Sequence, residues 1–228
     1  TDAQRKVYQQ ILDAGRQEVL AAVDKNGFNK SRMVIFTVLL RLRQVCCDLR
    51  LLKIDNTDPT TASGKVDLFA ELLQEIDDGG HRVLVFSQFT SMLGLLKERL
   101  DGEGIEYCYL DGSTRNRGAV VNRFQKSEIP VFLISLKAGG VGLNLTGADT
   151  VVHFDPWWNP AIEDQATDRA HRIGQRNVVT SYKLIVADSV EEKVLQMQNQ
   201  KRKLLEDIFD ASEAANAKVS LTDLKELI

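Results

Sequence analysis

The chain has 228 residues, of which 43% are hydrophobic and 27% charged, and its formal net charge is −3. This is the balance of an ordinary soluble globular protein, long enough for one large domain or one domain with helical additions. No apolar run is long enough to span a bilayer, which argues against a membrane role, and the overall charge argues against a surface coated in positive charge.

Thr1 is no natural start and no signal peptide is visible, so the chain reads as a fragment. Cys46, Cys47 and Cys108 form no Cys-x-x-Cys pair and have no His cluster beside them. They read as buried thiols of a reducing compartment, with no structural metal. A net negative charge still leaves room for a local basic stripe that engages phosphates. Lys30, Arg32, Arg41, Arg43, Arg50 and Lys53 form one, against the single acid Asp48.

Val7, Ile11, Leu12, Val19, Leu20 and Val23 recur at helical spacing, and Asn26-Gly27 punctuates the end of that first helix. A second helix is expected from about Lys30 to Cys47. The polar, turn-rich stretch from Asp55 to Gly64 is the clearest internal boundary. Beyond it the texture changes to short strands alternating with helices. The helices are expected over Val66–Ile76, Thr90–Leu100 (with Thr90 as a cap), Asn116–Lys126 and Ala161–His171. The strands are expected over Arg82–Phe86, Tyr107–Leu110, Val131–Ser135, Thr150–Phe154 and Val178–Val186. That alternation argues for an α/β fold, a parallel sheet with helices on both faces, whose functional groups collect at the carboxyl ends of its strands. A long helix follows over Val190–Phe209. Residues 211–217 read as loosely structured and 221–228 as a last short helix.

The most informative segment is Gln165-Ala-Thr-Asp-Arg169-Ala-His-Arg172-Ile-Gly-Gln175. Residues three apart on a helix share a face, so Arg169 and Arg172 can aim at one target, and a pair of permanent cations suits a phosphate on which charge develops. The alternative is a solvated helix face, with Glu163 and Asp168 pairing locally with the arginines. Three further segments fall at strand ends: Val85 to Thr90, Leu110 to Thr114, and the glycine-rich run from Ile134 to Leu145. In the last, Gly140 and Gly142 permit close backbone approach to a phosphate, or simply reverse the chain. Thr114 is equally good as a helix cap, and Trp157 is as readily core.

Taken in order, these segments resemble the C-terminal RecA-like lobe of the Swi/Snf family of ATPases in helicase superfamily two. Asp168-Arg-Ala-His-Arg-Ile-Gly-Gln175 is similar to the family's sixth motif. The glycine-rich run through Asp155-Pro-Trp-Trp-Asn-Pro160 is similar to the fifth and Leu84–Phe89 to the fourth. Leu42–Cys47, Ser63-Gly64-Lys65, Thr1–Tyr8, and Tyr182–Ile185 with Ser189–Glu192 also fit, so the resemblance covers about residues 1 to 200. Two positions depart from it. The family often has proline after the residue at Asp48, and Asp155-Pro156-Trp157 replaces a more polar version usual in eukaryotic chromatin remodellers. The second departure points to a bacterial or archaeal origin, with cytoplasmic, nucleoid-associated placement, or nuclear if eukaryotic.

The resemblance implies three segments: a helical link from a preceding lobe (1–62), the RecA-like lobe (63–189) and a helical extension (190–228). It implies ATP and Mg2+ as cofactors, held mainly by an N-terminal RecA-like lobe, since no Gly-x-x-x-x-Gly-Lys-Ser/Thr loop occurs here. Double-stranded DNA and that first lobe are the implied partners. Arg169 and Arg172 would serve as arginine fingers, with Gln165, Gly140 and Gly142 at the nucleotide. Ser87, Gln88, Ser113, Thr114, Ser135 and Lys137 would meet DNA phosphates, positioning the backbone without reading sequence. Trp158 and Asn159 would couple the two sites. The rival readings are a RecA-like module that binds without hydrolysis and a lobe directed at RNA.

Overall fold

The computed structural model describes residues 1–139, 143–172, 174, 175 and 177–209. The expectations for residues 211–217 and 221–228 lie outside them. The chain divides into two compact units, one formed by Thr1–Gly64 with the segment from Ile185 onward, the other by Lys65–Leu184.

The first unit is helical. Helix α1 (Asp2–Asn26) opens with a capping box in which Thr1 and Gln4 satisfy each other's backbone N–H groups. A 3₁₀ turn (Phe28–Ser31) leads to α2 (Arg32–Cys47), which packs along α1. Gln4 is buried and stitches the unit together. Its Nε2 donates to the Val45 carbonyl at 2.7 Å, and its Oε1 accepts from Gly64 N at 2.9 Å. At the first departure from the family pattern, Asp48 is extended and caps a 3₁₀ turn (Leu49–Leu52), accepting from Arg50 N at 2.8 Å. Of the basic stripe, Arg43 is buried and Arg50 pairs with Asp48, which leaves Lys30, Arg32, Arg41 and Lys53 exposed. Helix α8 (Val190–Phe209) packs on α2, and the Tyr8 hydroxyl accepts from Val190 N at 2.8 Å. Burial pushes the Tyr8 phenol up to about 12.

The second unit carries the sheet. After α3 (Gly64–Asp78) the chain alternates: β1 (Val83–Ser87), α4 (Thr90–Glu103), β2 (Tyr107–Leu110), α5 (Arg117–Lys126), β3 (Val131–Ser135), the short α6 (Leu136–Gly139), β4 (Thr150–His153), α7 (Pro160–Thr167) and β5 (Thr180–Lys183). The five strands lie in the order β2-β3-β1-β4-β5, and every pairing is parallel. This is the α/β parallel sheet expected from the alternating pattern, and the RecA-like arrangement that the resemblance implies. Strands β1, β3 and β4 are buried at every position, as strands covered on both faces must be, whereas β5 is an exposed edge. Phe86, Phe124, Phe132 and Phe154 are fully buried in this unit, each contributing roughly 1.5–3 kcal/mol of burial free energy.

Local chemistry sets the helix ends. Asn116 caps α5 by accepting from Ala119 N at 3.1 Å. Helix α4 closes on Gly104, left-handed at φ 71, and Ile105 N returns to the Leu100 carbonyl. Thr90 is the first helical residue and no cap, for Phe89 holds the cap position without a side-chain hydrogen bond. Helix α7 ends at Thr167, four residues earlier than its periodicity suggests, and the arginines sit in the turns beyond it.

Candidate nucleotide and DNA site

Because the sheet is parallel, all its strands exit at one edge. Register places Leu110, Ile134, Phe86, His153 and Lys183 at one level across it. The residues just beyond that row are Asp111, Ser135, Ser87, Phe154 and Leu184, so the three strand-end segments converge on one rim.

At the exit of β1, Ser87 is fully buried. Its hydroxyl donates to Asp155 and accepts from Phe89 N at 3.1 Å. Gln88 N also donates to the Asp155 carboxylate at 3.3 Å. Asp155 itself has no exposed surface, so this buried acid ties the β1 exit to the start of the Trp157–Trp158 loop. The carbonyl of neighbouring Phe154 accepts from Lys65 Nζ at 2.9 Å, a lysine only 4% exposed.

At the exit of β2, Asp111 gathers its own turn. Ser113 Oγ donates to its Oδ1 at 2.7 Å, Thr114 Oγ1 at 3.3 Å, and the Tyr109 hydroxyl to Oδ2 at 2.9 Å. These bonds, the Ser113 hydroxyl foremost, hold the Asp111 carboxyl below the usual carboxylate range. Ser113 is exposed and Thr114 partly so. At the exit of β3, Ser135 is buried and its hydroxyl accepts from Ala138 N at 3.3 Å, while Lys137 is exposed. Gly140 and Gly142 lie outside the described residues.

The β4 exit runs into α7. Asn159 caps that helix, accepting from Ala161 N at 3.1 Å, and Pro160 occupies its first turn. Trp157 and Trp158 are partly buried, and Trp157 packs against the core of the sheet. Glu163, read from sequence as a local partner of the arginines, is instead 1% exposed. It accepts from Trp157 N at 2.6 Å and pairs with Lys183 at the end of β5. Gln165 is exposed on α7.

In the turns after α7 the two arginines part company. Arg172 is exposed, whereas Arg169 is 1% exposed. Among the described residues the Nε and Nη1 of Arg169 have no hydrogen-bond partner. Burial, and then repulsion from Arg172, lower its pKa. Its carbonyl accepts from Leu145 N at 3.0 Å. Gln175 clamps the turn to the 145–148 loop, its Nε2 lying 2.7 Å from the Ala148 carbonyl and 3.2 Å from those of Thr146 and Ala170. Gly174, at φ 108, makes the bend that brings Gln175 into place. An under-satisfied buried guanidinium beside an exposed one is a place prepared for an anion. Among the described residues no group of three or more His, Cys, Asp or Glu could hold a metal ion, and no helix is long and apolar enough to cross a membrane.

A five-stranded parallel sheet, with a turn before its last strand that carries Arg169 and Arg172, is the arrangement that the resemblance to a helicase-type RecA-like lobe implies. Residues 64–174 match the helicase conserved C-terminal domain. The C-terminal part of the Fun30 ATPase domain is 33% identical and superposes with a TM-score of 0.62, over 92% of this chain and 72% of that one. The Sulfolobus solfataricus SWI2/SNF2 ATPase core in complex with dsDNA is 32% identical with a TM-score of 0.76, over 100% of this chain and 48% of that one. The chain belongs to the SWI2/SNF2 ATPases of helicase superfamily two and corresponds to their C-terminal lobe. Curated relatives include an ATP-dependent helicase of Mycoplasma pneumoniae, 38% identical over 88% of this chain. Another is the chromatin-remodeling ATPase INO80 of Aspergillus oryzae, 48% identical over 63% of this chain. The chain spans 19% and 10% of the lengths of those two proteins.

Proposed function

We propose that this chain is the second motor lobe of a double-stranded-DNA-dependent ATPase that tracks along duplex DNA and remodels the protein–DNA complexes it meets. The observation that carries the reading is the arginine turn: Arg172 exposed, and Arg169 buried with two donors unmet among the described residues. Arg172 engages the γ-phosphate, and Arg169 joins it when an opposing lobe brings the nucleotide to the rim. ATP supplies the phosphoanhydride whose cleavage drives stepping. The Mg2+ that accompanies it would be held mainly by the first lobe, the one to carry the phosphate loop that this sequence does not contain.

The DNA-facing surface uses the exposed and half-buried donors of the strand exits. Lys137, Ser113 and Thr114 contact phosphates, the two hydroxyls exchanging Asp111 for a phosphate oxygen, while Gln88, whose side-chain nitrogen is buried, holds the β1 exit through its backbone N–H. Ser87 and Ser135, turned inward, set the loops that carry these groups. Trp158 and Asn159 link this surface to α7, and Gln165 on its outer face contacts nucleotide. The whole protein acts wherever the chromosome lies.

The test is ATP turnover of the full-length protein with and without duplex DNA, beside an Arg172→Ala variant. Duplex should stimulate turnover, and loss of one finger should lower kcat by roughly 10³-fold or more. Equal turnover in both proteins would remove the finger assignment, stimulation by RNA over duplex would redirect the substrate, and absence of turnover in the wild type would leave a binding module.

A further inference from the structure

Beneath α7 lies a set of buried and half-buried polar groups that the proposed function does not use. Glu163, in the helix's first turn, holds Trp157 N on one side and Lys183 on the other. At the far end, Thr167 is the last helical residue. Its hydroxyl donates to the Glu163 carbonyl at 3.2 Å, and His153 Nε2 lies 3.0 Å from the same oxygen. A hydroxyl has one proton. With the Thr167 proton given to Glu163, the bond is made by the tautomer that carries its proton on Nε2, and Nδ1 is buried without a partner among the described residues. His153 is stacked on Phe86, with centroids 5.8 Å apart and ring planes 22° from parallel.

Both ends of α7 are therefore fastened to the strand exits below, one to β5 and one to β4. An eight-residue helix is too short to define its own orientation, since isolated helices below about 12–15 residues are marginal in water. Buried ion pairs and polar contacts add little net stability over apolar packing, but they tolerate only one geometry. Arg169 follows Thr167 by two residues, with its amide still returning to the Ala166 carbonyl at 3.3 Å.

We propose that Glu163, Lys183, His153 and Thr167 form a cradle that sets the aim of the arginine turn, with His153 and Glu163 as positioning residues for phosphate engagement. The inference rests on the finger assignment above, and it makes the orientation of α7 the quantity that decides whether Arg172 arrives in line. Neither residue touches nucleotide. Each acts through the helix.

The test uses Thr167→Val, which keeps the shape and removes the hydroxyl, Thr167→Ser, which restores it, and His153→Phe, which keeps the stack and removes the donor. In the full-length protein, hydrogen exchange at the 168–172 amides should quicken about tenfold in Thr167→Val and His153→Phe but not in Thr167→Ser. Turnover per folded molecule should fall roughly ten- to hundredfold in the same two variants, with KM for ATP little changed. The double variant should be no worse than either single one. Unaltered exchange overturns the cradle whatever the ATPase does. Altered exchange with undiminished kcat, while Arg172→Ala abolishes turnover, overturns the positioning role. If Arg172→Ala itself leaves turnover intact, the finger assignment falls, and exchange alone decides whether the cradle orders the turn.

Discussion

Acid should loosen the lobe through His153 in a way that one substitution removes. The imidazole is 1% exposed, and burial, with the Lys183 ammonium adding to it and the Glu163 carboxylate opposing it, lowers its pKa from 6.5 to about 4. The sign follows from which state takes the proton. Between 6.5 and 4 the unfolded chain protonates this histidine and the native protein does not, so stability is complete above the upper value and declines as pH falls toward the lower. Near pH 5 the unfolded state is favoured about twentyfold more than at neutrality, or about 2 kcal/mol. Urea unfolding of the 228-residue chain, compared at neutral pH and near pH 5, measures it. The wild type should lose about 2 kcal/mol more than His153→Phe over that interval, because carboxylates that titrate there contribute equally to both proteins. The same pH dependence in the two proteins would refute the reasoning.

Gly15 faces Val38 where α1 meets α2, and an added Cβ would lie 2.4 Å from Val38 Cγ1. Gly15→Ala should therefore destabilise the chain by about 1–3 kcal/mol in thermal melts, against a helix-propensity gain of about 1 kcal/mol, and Val38→Ala should restore it. Asp155→Asn leaves Ser87 and Gln88 N facing an uncharged partner in a fully buried site. It should cost about 1–3 kcal/mol by urea titration, and weaken duplex binding in fluorescence anisotropy by loosening the β1 exit.

Periodicity and apolar runs were enough to place most of the fold. Tyr107–Leu110, Val131–Ser135 and Val190–Phe209 have the bounds their patterns suggest, because buried strands and amphipathic helices advertise themselves one residue at a time. Periodicity overextends α7 because Asp168 to His171 would suit a helix, whereas bonds from Leu145 to the Arg169 carbonyl and from Gln175 to that of Ala170 hold turns there. The rim was legible as a set of polar residues at strand ends, not as directions: nothing local distinguishes Ser87, turned inward to Asp155, from exposed Ser113. Glu163 gave no signal of its own. An acid on a short helix reads as solvated, and its partner Lys183 is remote in sequence.

The division of the chain also sets a schedule for its synthesis. Lys65–Leu184 is one uninterrupted stretch, so everything it needs is present once β5 has emerged from the ribosome. The helical unit is different: Tyr8 meets Val190, 182 residues downstream. Helices α1 and α2 are made before the sheet unit, and α8, which packs on α2, only after it. Domains generally fold as units as they emerge, so here the earlier-born unit is the later to mature, and the interval between is when a chaperone would find most to hold.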